Sequence, residues 1–130
     1  MVINPVYIGN LEQVHIDVRR VIFECNLPTM SILQFSIIQA IPLGNHFHKK
    51  KQEMFVITEG SGKFAYLPLT ADGEPQGEQL NIEIEKGVVI QVQPFTAHAF
   101  RLEAGSTMIC FSTEAFDPDH PDVYSYVMDI

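Results

Sequence analysis

The sequence predicts an all-β protein with the architecture of a sandwich or barrel. Runs rich in β-branched and aromatic residues recur along the chain, Gly, Pro and Asp separate them, and no window of about 11 residues or more holds a helical period. Seven or eight strands at this spacing are typical of one small β domain, which we expect to span residues 1–130.

The candidate strands follow one another at short intervals. In chain order they are "RRVIFEC" (19–25), "SILQFSIIQ" (31–39), "EMFVIT" (53–58), "GKFAYLP" (62–68), "LNIEIE" (80–85), "VVIQVQ" (88–93), "TAHAFRL" (96–102) and "TMICFST" (107–113). The run 80–85 alternates cleanly, because Leu80, Ile82 and Ile84 fall on one face and polar side chains on the other.

Turn residues predict the connections between these strands. "TEGSGK" at 58–63 is typical of a tight hairpin in which Gly60 and Gly62 supply positive φ angles. "LTADGEPQGEQ" at 69–79 indicates a longer polar hairpin loop. Near the end of the chain, "VYSYVM" at 123–128 is compatible with a last short strand or one helical turn.

The charge of the chain argues against a nucleic-acid partner. The formal net charge is −8, and the only basic cluster is the lysine run 49–51. We expect this run to form a solvated loop at the mouth of the barrel, where it could attract an anion. An acidic surface still permits a phosphorylated small molecule in a locally positive pocket.

The sequence favours a soluble cytoplasmic protein with no membrane partner. The first ten residues carry no basic residue and no apolar run of the signal-peptide type. No stretch approaches the ~20 apolar residues that a membrane helix needs. Cys25 and Cys110 lie far apart in apolar surroundings, where we expect them to pack as small hydrophobic residues.

Three histidines and one glutamate form the candidate site. His46 and His48 are two positions apart, so on a strand they share a face while Phe47 points away. Glu53 shares a face with the apolar residues of the next strand, and His98 shares a face with Phe100 in a later one. These four side chains can therefore converge inside a barrel.

Such a set suits a divalent metal ion, because imidazole favours Zn, Cu, Ni and Fe while the carboxylate also tolerates Mn. On local spacing alone, a polar strand end with Glu53 in a solvated turn is an equally good interpretation. His15 and His120 lack any neighbouring pattern and are expected at the surface.

Two segments resemble the motifs of the cupin superfamily. "HFHKKKQEMFVITEG" is similar to the first cupin motif, in which His-x-His is followed by Glu and Gly; its positions are filled by His46, His48, Glu53 and Gly60. "GVVIQVQPFTAHAF" resembles the second motif, with Gly87, Pro94 and His98 in order. The resemblance implies a cupin double-stranded β-helix, a jelly-roll-like barrel. It also implies that His46, His48, Glu53 and His98 ligate one divalent ion (Zn, Mn, Fe or Ni).

Three further stretches resemble cupins that act on nucleotide-linked deoxysugars. "HIDVRRVIFE" (15–24) is similar to a D-x-R-G-x-x-x-E opening, with Arg20 in place of the Gly. "GNHFH" (44–48) matches the G-N-H-x-H motif in the cupin domain of bifunctional capsule-precursor reductases. The tail resembles the Phe-Asp-Pro … Pro-Asp-x-Tyr pattern of that domain, carried here by Phe116, Asp117, Pro118, Pro121, Asp122 and Tyr124.

This resemblance implies isomerisation or epimerisation next to the ketone of a nucleotide-linked 4-keto-6-deoxyhexose, and hence a carbohydrate substrate. A metal would commit the histidines as ligands, and Tyr66 is then the candidate base; without a metal, His46 or His48 takes that role. Two other functions stay open: an Fe-dependent dioxygenase and a non-catalytic module that binds a small molecule. The resemblance to cupins further implies a homodimer.

Overall fold

The computed structural model describes residues 8–27, 30–113, 117 and 119–130, and all regular elements in those residues are β-strands. The strands are β1 (Glu12–Ile16), β2 (Arg20–Asn26), β3 (Ser31–Ile37), β4 (Leu43–Phe47), β5 (Glu53–Glu59), β6 (Ser61–Pro68), β7 (Leu80–Glu85), β8 (Val89–Val92), β9 (Thr96–Leu102), β10 (Thr107–Ser112) and β11 (Tyr124–Ser125). Within the described part of the chain, no helix is long and apolar enough to cross a membrane.

The strands form two antiparallel sheets. One sheet has the order β1-β2-β3-β10-β5-β8 and the other has the order β11-β4-β9-β6-β7. Along the chain, strands β3 to β6 and β7 to β11 alternate between the two sheets, so the chain crosses repeatedly from one sheet to the other. This is the jelly-roll-like, all-β architecture that the sequence predicts.

All eight candidate strands are present, each with ends within two residues of the predicted ones. Two strands, β1 and β4, were not among the candidates, and β11 was predicted only as one of two alternatives. The segment β4 reads "LGNHF", and its Gly-Asn pair hides the strand from a search for regular alternation. Of the two structures predicted for 123–128, the short strand is correct.

The predicted hairpin at 58–63 is wrong. The strand β5 pairs with β10 and β8, whereas β6 pairs with β9 and β7, so the turn carries the chain from one sheet to the other. Gly60 does have a positive φ of 88°, but Gly62 does not. At Gly62 a Cβ would clash with the backbone of β9, so this glycine serves a close approach of two strands. The loop 69–79 joins β6 to β7, which pair as predicted.

The main core lies between the two sheets. Its buried members come from both of them: Ile37, Leu43, Phe55, Ile57, Phe64, Ile84, Val92, Phe100, Leu102, Met108 and Cys110. A second cluster uses the opposite face of the five-stranded sheet, where Ala65, Ala97 and Ala99 pack with Met128, near the end of the sequence. Both cysteines are free, and Cys110 is buried, as expected from their apolar surroundings.

Candidate metal centre

A β-bulge in β4 turns two histidines toward the interior. Gly44 and Asn45 have φ angles of 91° and 56°, and the pairing with β9 gains one residue between Gly44 and His46. Without that extra residue, the face occupied by Leu43 would include residues 45 and 47. With it, His46 and His48 share the interior with Leu43, and Phe47 packs in the outer cluster.

The four predicted ligands meet at one point. Glu53 and His98 are buried, at 7% and 1% exposure, and each shares its face with the core residues of its strand, as predicted. One potential ligand atom from each of His46, His48, Glu53 and His98 lies within 4.8 Å of the other three. The sequence-based interpretation as a polar strand end is therefore excluded by the burial of Glu53 and His98.

Backbone carbonyls set the orientation of two imidazoles. His48 Nδ1 lies 2.5 Å from the carbonyl oxygen of Asp122, and His98 Nδ1 lies 2.9 Å from that of Thr96. A carbonyl only accepts hydrogen bonds, so each Nδ1 carries a proton and donates it. In the neutral ring, each Nε2 then presents a lone pair to the centre of the cluster.

The atoms at the centre lack a hydrogen-bond partner. His48 Nε2 and His98 Nε2 lie 2.8 Å and 3.3 Å from Glu53 Oε1, yet neither pair has hydrogen-bond geometry, and all three atoms are buried without a hydrogen bond within the described ranges. Unsatisfied acceptors of this kind are costly unless a cation or a shared proton lies between them. A set of three imidazoles and one carboxylate fits a divalent ion such as Zn, Mn, Fe or Ni.

The ionisation of the site favours the metal-binding forms of its side chains. Burial lowers the pKa of His46 to about 3, and the nearby imidazoles of His98 and His48 add to the effect. Burial alone would raise the pKa of Glu53, but His48 and His98 outweigh it and hold that pKa well below its usual range. At neutral pH His46 is therefore uncharged and Glu53 is anionic, as metal ligands must be.

The cluster opens into a cavity of about 200 Å³. Its wall contains mostly apolar side chains together with the four candidate ligands and two cationic residues: Arg20, Ile22, Leu33, Phe35, Leu43, Gly44, His46, His48, Lys51, Glu53, Phe55, His98, Phe100, Met108 and Val123. A cavity of this size suits one small ring rather than a whole nucleotide.

Tyr66, the candidate base, lines a different cavity. Its Cα is paired with that of His98 in the neighbouring strand, but its ring stacks on Phe64 at 5.7 Å, and the cavity it borders is formed with Ile82 and Val89. The structure thus places Tyr66 on the strand beside His98 without bringing it into the wall that the four candidate ligands share.

The C-terminal segment holds the turn that follows the histidines. The carboxylate of Asp122 accepts hydrogen bonds from the backbone N–H groups of Lys49, Lys50 and Lys51, at 2.8, 2.9 and 3.0 Å. The first two lysines are exposed, as expected of a solvated loop, whereas Lys51 is half-buried and borders the cavity. The tail pattern predicted from resemblance therefore contributes a structural anchor through Asp122.

Other predicted residues have simpler outcomes. His15 and His120 are exposed, and each lies against an aspartate of its own segment. Phe116 and Pro118 of the tail pattern lie outside the described residues. The sequence did not predict a role in the cavity for Arg20; the one signal was its position where the related motif has Gly.

The two sheets, with a buried cluster of three histidines and one glutamate, give the chain the architecture of the cupin fold. Its fold is similar to that of the capsular polysaccharide assembling protein CapF from Staphylococcus aureus (TM-score 0.74, 22% identity, 92% of this chain and 35% of that one). It is also similar to an oxalate decarboxylase mutant from Bacillus subtilis (0.70, 11%, 92% and 33%). A third similar structure is a variant of Streptomyces PAC13 with uridine (0.63, 14%, 90% and 85%).

The family model for the polysaccharide biosynthesis C-terminal domain matches residues 15–124, and the chain belongs to that family. It spans about a third of the length of CapF. Among curated proteins none matches this chain.

Proposed function

We propose that the protein is an enzyme of polysaccharide-precursor synthesis that isomerises or epimerises a nucleotide-linked 4-keto-6-deoxyhexose at the carbon next to its ketone. The observation that carries the proposal is the buried His/Glu cluster at the wall of a cavity large enough for one sugar ring. The family supports a role in polysaccharide synthesis, and the uridine in the similar PAC13 structure supports a nucleotide ligand.

The reaction requires a proton to leave the carbon beside a carbonyl, so negative charge develops on the carbonyl oxygen. His46, His48, Glu53 and His98 would hold a divalent ion, which would act as a Lewis acid toward that oxygen. The apolar side chains of Phe55 and Phe100 keep water from the cavity wall, which strengthens electrostatic interactions inside it.

The general base that accepts this proton depends on whether a metal is bound. With the four ligands committed, the candidate is Tyr66 on the strand next to His98, although its ring borders the neighbouring cavity and would have to turn to reach the substrate. With no metal, His46 is preferred, since it is half-buried, borders the cavity and is uncharged at neutral pH. The change Tyr66→Phe separates the two cases: loss of turnover with unchanged metal content assigns the base to Tyr66.

Isotope exchange tests the function directly. The purified protein is incubated in deuterated water with a panel of nucleotide-linked 4-keto-6-deoxyhexoses, and we expect deuterium at the carbon next to the ketone. The variant His46→Gln should abolish incorporation, while the matched variant His15→Gln, at an exposed histidine, should not. Failure of every sugar in the panel to take up deuterium sinks the proposal; oxygen uptake by iron-containing protein in the same samples would favour a dioxygenase instead.

We also propose that the protein is a homodimer. The strand β1 is at the edge of the six-stranded sheet, and apolar side chains on and beside it are exposed, with Val14 at 54%, Ile16 at 61% and Val18 at 68%. An edge with this composition favours pairing with a second copy. Light scattering tests it, and a mass equal to that of one chain at micromolar concentration would refute it.

A further inference from the structure

Arg20 brings a positive charge to the same cavity as the metal ligands. It begins β2, its side chain is half-buried, and it borders the cavity together with Ile22 and Leu33. Its guanidinium carbon lies 5.8 Å from the centre of the Phe35 ring, so the planar group is held along the cavity wall.

The charge of Arg20 has no carboxylate partner within the part of the chain that the structure describes. The nearby Asp17 is paired with Arg19 at 3.2 Å and with His15 at 2.7 Å. The carboxylate that borders the cavity, Glu53, faces His48 and His98 instead. In addition, Arg20 Nε is buried and makes no hydrogen bond to the described residues.

A half-buried guanidinium without a partner is a costly feature unless a ligand completes it. Guanidinium groups bind phosphate and carboxylate oxygens in a bidentate manner. Lys51 borders the same cavity and adds a second cation, although the protein as a whole carries a net charge of −8. This local excess of positive charge favours an anion at the cavity.

We propose that Arg20 binds the diphosphate of the substrate and so places the sugar ring against the His/Glu cluster. That the anion is a phosphate rests on the function proposed above; that Arg20 binds an anion rests on its own contacts. Half-burial of the side chain fits this role, because the nucleotide can remain outside a cavity that admits only one ring.

Calorimetric titration of the full chain tests the inference with four probes: uridine diphosphate glucose, glucose 1-phosphate, glucose and the carboxylate anion succinate. The variant Arg20→Gln should weaken binding of both phosphorylated probes at least about tenfold, since a hydrogen-bonded charge is lost. The matched variant Arg101→Gln removes an exposed arginine whose side chain donates a hydrogen bond to the Ile130 carbonyl, and it should bind as the unaltered protein does. The variant Arg20→Lys keeps the charge without the planar fork and should bind with intermediate affinity; circular dichroism confirms that each variant is folded.

Equal affinity of Arg20→Gln and the unaltered protein for uridine diphosphate glucose overturns the inference. The proposed reaction is tested separately by the deuterium exchange experiment. Binding of succinate that depends on Arg20, with no binding of either phosphorylated probe, overturns the phosphate assignment and counts against a sugar-nucleotide substrate. Binding of uridine diphosphate glucose that depends on Arg20 supports the inference even where no sugar exchanges deuterium.

Discussion

Replacement of Asp122 by Ala should weaken both the fold and the metal site, although its side chain touches no candidate ligand. The carboxylate holds the three N–H groups of the turn 49–51, and the carbonyl of the same residue accepts the Nδ1–H of His48. Loss of the carboxylate frees the segment that carries this carbonyl. The orientation of His48 then becomes less restricted, while its own atoms are unchanged.

The expected magnitude follows from the three hydrogen bonds. A hydrogen bond to a charged group contributes about 1.5–3 kcal/mol when it is shielded from water. Asp122 is half-buried, so screening lowers the sum, and we expect the free energy of unfolding to fall by about 2–3 kcal/mol. Loss of a group that orients a ligating histidine typically lowers metal affinity about 10–100-fold.

Urea unfolding of the metal-free protein and chelator competition with zinc measure the two effects. The control is Asp119→Ala, which alters an exposed aspartate of the same segment and should change neither quantity. The variant Asp122→Asn should have an unfolding free energy and a zinc affinity between those of Asp122→Ala and the unaltered protein, because its single amide oxygen has two lone pairs for three N–H donors. If Asp122→Ala and Asp119→Ala give the same unfolding free energy and the same zinc affinity, the anchoring role is refuted.

The remaining predictions concern acidity, the bulge and the carboxylate ligand. In the metal-free protein, the folded-state pKa of His46 is about 3, below its ordinary value of 6.5, so between these two pH values the unfolded chain binds more protons than the folded one. The free energy of unfolding should therefore fall as the pH is lowered from 6.5, by up to about 1.4 kcal/mol per pH unit. Urea unfolding at a series of pH values checks this, and an equally steep loss in His46→Gln would contradict it. Gly44→Ala should lower the melting temperature more than Gly77→Ala, although both glycines have φ near 90°. At Gly44 an added Cβ would lie 2.9 Å from the His98 carbonyl oxygen, whereas at Gly77 it would meet open space. Equal melting temperatures would refute the argument from close approach. Glu53→Gln should lower zinc affinity by more than the about 10–100-fold expected of an outer residue, as measured by chelator competition, and affinity within that range would place Glu53 outside the ligand set.

Local sequence patterns predicted the members of the site but not the device that assembles it. Alternation within a strand correctly placed Glu53 and His98 on interior faces. The pair His46 and His48 was correctly assigned to one face, but their inward direction depends on Asn45, an extra residue in the pairing with β9. A bulge is defined by the partner strand, which is about fifty residues away in this fold, so no window around 43–48 contains the necessary information.

The same limit explains the error at 58–63 and the residues that were missed. The glycines and polar residues of 58–63 indicate a turn, but packing between the sheets decides in which sheet the next strand pairs. The anchor formed by Asp122 spans more than seventy residues of sequence, from the tail to the turn 49–51. Contacts over such distances leave no periodic signal.

The candidate metal ligands and the rest of the cavity wall come from different parts of the chain. The four candidate ligands come from β4, the residue after it, β5 and β9, and a set of this kind suits several divalent ions. The cavity wall that would face a substrate also contains residues of β2 and β3, among them Arg20, Leu33 and Phe35, which lie outside both segments that resemble cupin motifs. A change in Glu53 should therefore weaken metal binding whatever the substrate, whereas a change in Arg20 should alter anion binding and leave metal affinity unchanged. Measuring zinc content and sugar-nucleotide affinity in both variants tests this separation, and loss of zinc from Arg20→Gln would show that the two functions depend on one another.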